Sequence, residues 1–149
     1  MSETTNSTHR IDGSIAVVTG AAQGLGLAMV EQLAHNGANV WIADLQLEKA
    51  EQEAKILNQR GLQVQAASLD VTDSTAVDEL FDRVQSESGN VDILVNNAGG
   101  PSGSTFSRGP LLDLTMQDFR GSIDMNLTSV FLASTSAARI MICLLYTSD

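Results

Sequence analysis

Several residue types are scarce in this 149-residue chain, and each scarcity narrows the reading. The one cysteine, Cys143, allows no internal disulfide and no cysteine-based metal site, which fits a reducing compartment. His9 and His35 are too few and too far apart in sequence to suggest a metal pair. Lys and Arg total 8 against 18 Asp and Glu, a formal charge of −10, so phosphate backbones and anionic lipid would repel the chain and neither nucleic acid nor a membrane is an expected partner. No apolar run is long enough to span a bilayer. Residues 1–10 are polar and contain no apolar segment of signal-peptide type, so they read as a disordered tail, and a cytoplasmic address is expected. What remains is ample for one domain: 43% of residues are hydrophobic, and a chain of this length buries roughly 68–70% of its unfolded surface.

From Ile11 onward, short β-branched runs alternate with stretches of helical spacing, the pattern of a parallel sheet with helical crossovers. Strands are expected at Ile15–Thr19, Asn39–Ala43, Val64–Leu69 and Val91–Val95. Helices are expected at Leu25–Asn36 and Leu47–Arg60, then from an Asp73 or Ser74 cap through Val77, Leu80, Phe81 and Val84 to Gly89. Residues 100–112 hold both prolines and read as a loop. Thr115-Met116-Gln117-Asp118 resembles a capping box with Asp in place of Glu, opening one last helix toward Ile142.

Two features carry chemistry. The run Gly20-Ala21-Ala22-Gln23-Gly24-Leu25-Gly26 lies where a buried strand turns into a helix, and that setting suits a pyrophosphate: glycines permit the sharp turn and close approach, and the free N–H groups of the helix start meet the negative charge. Gly20, Gln23, Gly24, Leu25 and Gly26 are therefore candidate dinucleotide contacts. The competing reading is a turn that glycine serves only by letting helix and strand approach. Asp44 ends the second strand at the spacing where a carboxylate meets an adenosine ribose. It would accept hydrogen bonds from the ribose hydroxyls and repel a 2′-phosphate, and Gln23, Leu45 and Gln46 offer no cation to counter that, so NAD is expected over NADP. Asp44 could instead simply cap the next helix.

Thr19-Gly20-Ala21-Ala22-Gln23-Gly24-Leu25-Gly26 resembles the Thr-Gly-x-x-x-Gly-x-Gly signature of the short-chain dehydrogenase/reductase family, and Asn96-Asn97-Ala98-Gly99 resembles a second signature of that family after the fourth strand. The resemblance implies a Rossmann-type doubly wound parallel sheet, here partial, with strands ordered 3-2-1-4. It also implies hydride transfer between NAD(P) and a secondary alcohol or ketone. It implies that Asp70 and Val71 hold the adenine ring, that Asn97, Ala98 and Gly99 pass under the cofactor's ribose, and that Asn126 is the asparagine of a catalytic tetrad, holding a local helix irregularity and a water on a proton relay. The tetrad's Ser, Tyr and Lys have no match here. Tyr146 has no lysine four residues on, and Ser134 and Ser136 come too early. The expected organisation is therefore an incomplete NAD(P)-binding domain over residues 11–141, inactive alone. Residues 142–149 are expected to be non-native, because Cys143 to Asp149 resembles translated sequencing-adapter read-through. Val130, Phe131 and Leu132 would in part need a cover from the missing strands or from a subunit partner, and a homo-oligomer is expected at full length. The alternatives are a non-catalytic dinucleotide-binding module and a Rossmann-type methyltransferase, the latter disfavoured by Asn96 to Gly99.

Overall fold

The computed structural model describes residues 11–100 and 110–143. The expected tail over residues 1–10 and most of the 100–112 loop lie outside them, as do residues 144–149 of the segment read as non-native. Four parallel strands form one sheet in the order β3-β2-β1-β4, the order expected: β1 is Ile15–Thr19, β2 Asn39–Asp44, β3 Gln63–Ser68 and β4 Ile93–Val95. The connecting helices are α1 (Gly24–His35), α2 (Leu47–Gln59) and α3 (Ser74–Ser88), followed by a 3-10 turn at Leu111–Asp113, α4 (Met116–Ile123), a π turn at Asp124–Thr128 and α5 (Ser129–Cys143).

Alternation along the strands divides the core between two faces. Ile15, Val17, Trp41, Ala43 and Ala67 point to one side and pack with Val77, Leu80, Phe81 and Val84 of α3 and Ala133, Ala137 and Ile140 of α5. Ala16, Val18, Val40, Ile42 and Val64 point to the other and pack with Val30 and Ala34 of α1 and Ala50, Ala54 and Leu57 of α2. Strands buried on both faces must be apolar throughout, which is why Ile15–Thr19 reads as an unbroken run. On the α3 face the Trp41 ring is fully buried, its Nε1 donates to Ser88 Oγ at 3.0 Å, and the Arg83 guanidinium lies 5.0 Å from its centre.

Local signals placed the helix starts well. Asp73 accepts from the Thr75 and Ala76 amides, and Thr115 with Asp118 forms a reciprocal capping box in which Asp does the work of Glu. Two expectations needed correction. β4 is shorter than Val91–Val95, because the Asp92 carboxylate, in place of a main-chain carbonyl, accepts from Ile15 N at 2.7 Å, while the Asp92 amide donates to Ile15 O at 2.8 Å. The expected single last helix is broken into α4 and α5 by the π turn. Among the described residues no helix is long and apolar enough to cross a membrane.

Candidate active site

The carboxyl ends of the strands converge on one cleft of about 340 Å³. In an open parallel sheet, the crevice where neighbouring connections leave to opposite faces is the place for a ligand. Here the crevice falls between β1, whose connection runs through α1 on one face, and β4, whose following helices include α5 on the other. A larger hollow of about 600 Å³, bordered by Asn39, Gln63 and Ser88, lies at the opposite ends of the strands, away from the Gly20–Gly26 turn.

The loops after β1 and β4 are bonded into one unit. Thr19, only 1% exposed, accepts at Oγ1 from the Asn97 and Ala98 amides at 3.2 and 3.1 Å. Asn97 answers through Nδ2, donating to Thr19 O at 3.0 Å and Gly20 O at 2.8 Å. This joint explains the glycines, and it separates their roles. Gly20 has φ +62°, and a Cβ there would stand 2.8 Å from Ala98 Cα. A Cβ on Gly26 would stand 2.5 Å from Asn97 Nδ2 and 2.7 Å from Gly20 O. Both positions are closed by packing. Gly24 differs: its φ is +60°, yet a Cβ would meet nothing within 4 Å. Only there does the missing side chain leave open space at the start of α1.

Asp44 is 8% exposed, at the end of β2. Its Oδ2 accepts from the Ala22 amide and its Oδ1 from the Gln46 amide, both at 2.9 Å, so one carboxylate fastens the glycine loop to the residue preceding α2. α2 takes no side-chain cap, so Asp44 does not cap the helix; it braces the loop before it, and its carboxylate also lines the cleft. Asp70 is exposed and accepts at Oδ1 from the Thr72 amide and hydroxyl, a local turn at the cleft's edge, while Val71 beside it is 7% exposed.

Asn126 sits within the π turn. Its Oδ1 accepts from the Gly100 amide, and its Nδ2 donates to Gly100 O and to Ser122 O, all at 2.9 Å. A π turn widens the helical ladder by one residue and frees carbonyls. Two side chains bond to carbonyls about this turn, Asn126 to Ser122 O and Ser129 to Met125 O. A Cβ on Gly99 would lie 2.9 Å from Asn126 Oδ1, so the glycine lets the loop after β4 reach this asparagine.

Of the residues singled out in the sequence, Gly20, Gln23, Asp44, Asp70, Val71, Asn97, Ala98 and Gly99 line the cleft. Gly24 and Leu25 are exposed on the adjoining turn, Gly26 is buried behind it, and Asn126 stands behind Gly99 and Gly100. Sequence reasoning missed Met125, which also lines the cleft and whose neighbour Asn126 was the available clue. It also missed Lys49: from α2, its ammonium donates to Gln23 Oε1 on the glycine loop.

Comparison with known proteins agrees with this arrangement. The short chain dehydrogenase family model matches residues 14–145. The chain is 38% identical over 131 residues to 2,3-dihydro-2,3-dihydroxybenzoate dehydrogenase of Bacillus subtilis, covering 88% of this chain and 48% of that protein. It is 33% identical over 137 residues to 5-keto-D-gluconate 5-reductase of Escherichia coli, covering 92% and 52%. Among solved structures, a hydroxysteroid dehydrogenase from Escherichia coli superposes with a TM-score of 0.81 at 36% identity, over 89% of this chain and 54% of that one. The chain spans about half the length of the curated relatives it matches. With the sheet order, the two turn motifs and these matches in agreement, the chain belongs to the short-chain dehydrogenase family.

Proposed function

We propose that this chain carries the cofactor-binding half of a cytoplasmic oxidoreductase that transfers a hydride between NAD and a secondary alcohol or ketone. The observation that carries the reading is the meeting of Asp44 and the glycine turn on one cleft, held together by the Ala22 amide. The residues present fit a dinucleotide. The space over Gly24 at the start of α1 suits a pyrophosphate, and Asp44, with acceptor capacity beyond its two amide bonds, suits a ribose diol. Asp70 and Val71 border the end assigned to the adenine, and Asn97, Ala98 and Gly99 the floor under the second ribose. When bound, the nicotinamide supplies or accepts the hydride. The chain's own contribution is to orient it: Asn97 and Thr19 lock the loop after β4 onto the glycine turn, and Asn126 fixes that loop at Gly100. Asn126 is assigned as a positioning residue behind Gly99 and Gly100, and the family resemblance implies a proton relay through it. The exposed Phe119, Leu127 and Phe131 support a full-length homo-oligomer in which a second subunit covers them.

Calorimetric titration tests the reading. NAD should bind more tightly than NADP, and Asp44→Ala should weaken NAD by about 1–3 kcal/mol, the scale of a charge-assisted hydrogen bond. NADP binding tighter than NAD, or an unchanged NAD affinity in Asp44→Ala, would refute it.

A further inference from the structure

Lys49 occupies the third residue of α2, inside the first helical turn. A cation there opposes the helix dipole, which favours acidic side chains at that end. The helix dipole therefore gives no reason for a lysine at this position. Its ammonium is directed to Gln23 Oε1, a neutral amide acceptor on the glycine loop, and makes no ion pair with a carboxylate among the described residues. The contact spans 26 positions of sequence and joins α2 to the residue preceding α1. Gln23 and Asp44 both line the cleft. Asp44 already accepts from two amide donors, and α2, which begins at Leu47, has no side-chain cap. The ribose end of the cleft thus holds a carboxylate bonded to two amides and, on the glycine loop, Gln23, whose amide oxygen carries the Lys49 ammonium from α2.

We propose that Lys49 sets how strictly this cleft rejects a phosphorylated ribose: its ammonium leaves Gln23 for a ribose 2′-phosphate, giving NADP a measurable affinity that Asp44 alone would deny. The proposal rests on reading the cleft as a dinucleotide site. The exchange is favourable because a dianionic phosphate is a far stronger partner for an ammonium than an amide oxygen is. NAD has no such group and leaves Lys49 on Gln23. Lys49 is therefore a specificity residue for one cofactor and nearly silent for the other.

The test is calorimetric titration of NAD and NADP into the chain and into Lys49→Gln and Lys49→Arg, each at low and high salt. Lys49→Gln should weaken NADP about tenfold, change NAD less than twofold, and flatten the salt dependence of NADP binding, while Lys49→Arg keeps both affinities. Thermal melts should show Lys49→Gln at least as stable as the parent, since a cation leaves the first turn of α2. Equal losses for NAD and NADP in Lys49→Gln, or an unchanged ratio of the two, overturn the proposal and leave the dinucleotide reading standing. Absence of binding by either cofactor to the parent chain overturns both.

Discussion

Gly26 and Gly24 stand two residues apart in the same turn, and an added methyl group meets a different obstacle at each. At Gly26 the Cβ would approach Asn97 Nδ2 to 2.5 Å, Gly20 O to 2.7 Å and Ala21 Cα to 2.8 Å. Two of these atoms are backbone, so the start of α1 must move away from the β1 turn. Overpacking of this kind costs about 1–3 kcal/mol. The shift also strains the two hydrogen bonds from Asn97 Nδ2 to Thr19 O and Gly20 O, each worth roughly 0.5–1.5 kcal/mol. Against this, alanine in a helix gains about 1 kcal/mol over glycine. The net expectation for Gly26→Ala is a loss of about 1–5 kcal/mol, which at roughly 2–4 °C per kcal/mol lowers Tm by about 2–20 °C. Gly24→Ala meets open space and bears only its left-handed backbone, about 1–2 kcal/mol. Cofactor binding should rank them the other way once bulk is added: Gly24→Val should abolish NAD binding in a protein that still folds. Urea unfolding with and without NAD measures both quantities. If Gly26→Ala proved no less stable than Gly24→Ala, the packing role assigned to Gly26 would be wrong, and if Gly24→Val kept its NAD affinity, so would the pyrophosphate role assigned to Gly24.

Asn126→Ala removes both bonds to Gly100 and the bond to Ser122 O. It should raise amide exchange at Gly100 and through the π turn while leaving β1 and β2 protected, and exchange that stayed unchanged there would contradict the anchoring role. Asp73→Ala removes the acceptor for the Thr75 and Ala76 amides and should cost about 1 kcal/mol in denaturant unfolding, with no change in NAD affinity.

Much of this protein is written in short stretches of its sequence. Ile15–Thr19 must be a buried strand because every residue in it is apolar or, as Thr19, able to satisfy its hydroxyl at the strand end. The spacing of Val77, Leu80, Phe81 and Val84 makes one helical face, and all four are buried. Asp73 and Thr115 announce helix starts with side chains that reach only two or three residues ahead. Such signals act within a turn or a strand, where geometry is repeated and residue order suffices. The site depends on meetings between segments that order does not reveal. The Asp92 carboxylate accepts from an amide 77 positions earlier, Asn97 reaches Gly20 across the same separation, Asn126 finds Gly100 through a π turn, and Lys49 finds Gln23. The glycines appear alike in the sequence, and only the folded chain distinguishes the two sealed by a neighbouring backbone from the one that faces open space. Tertiary structure decides these points because they depend on which turns the parallel sheet brings together at its carboxyl edge.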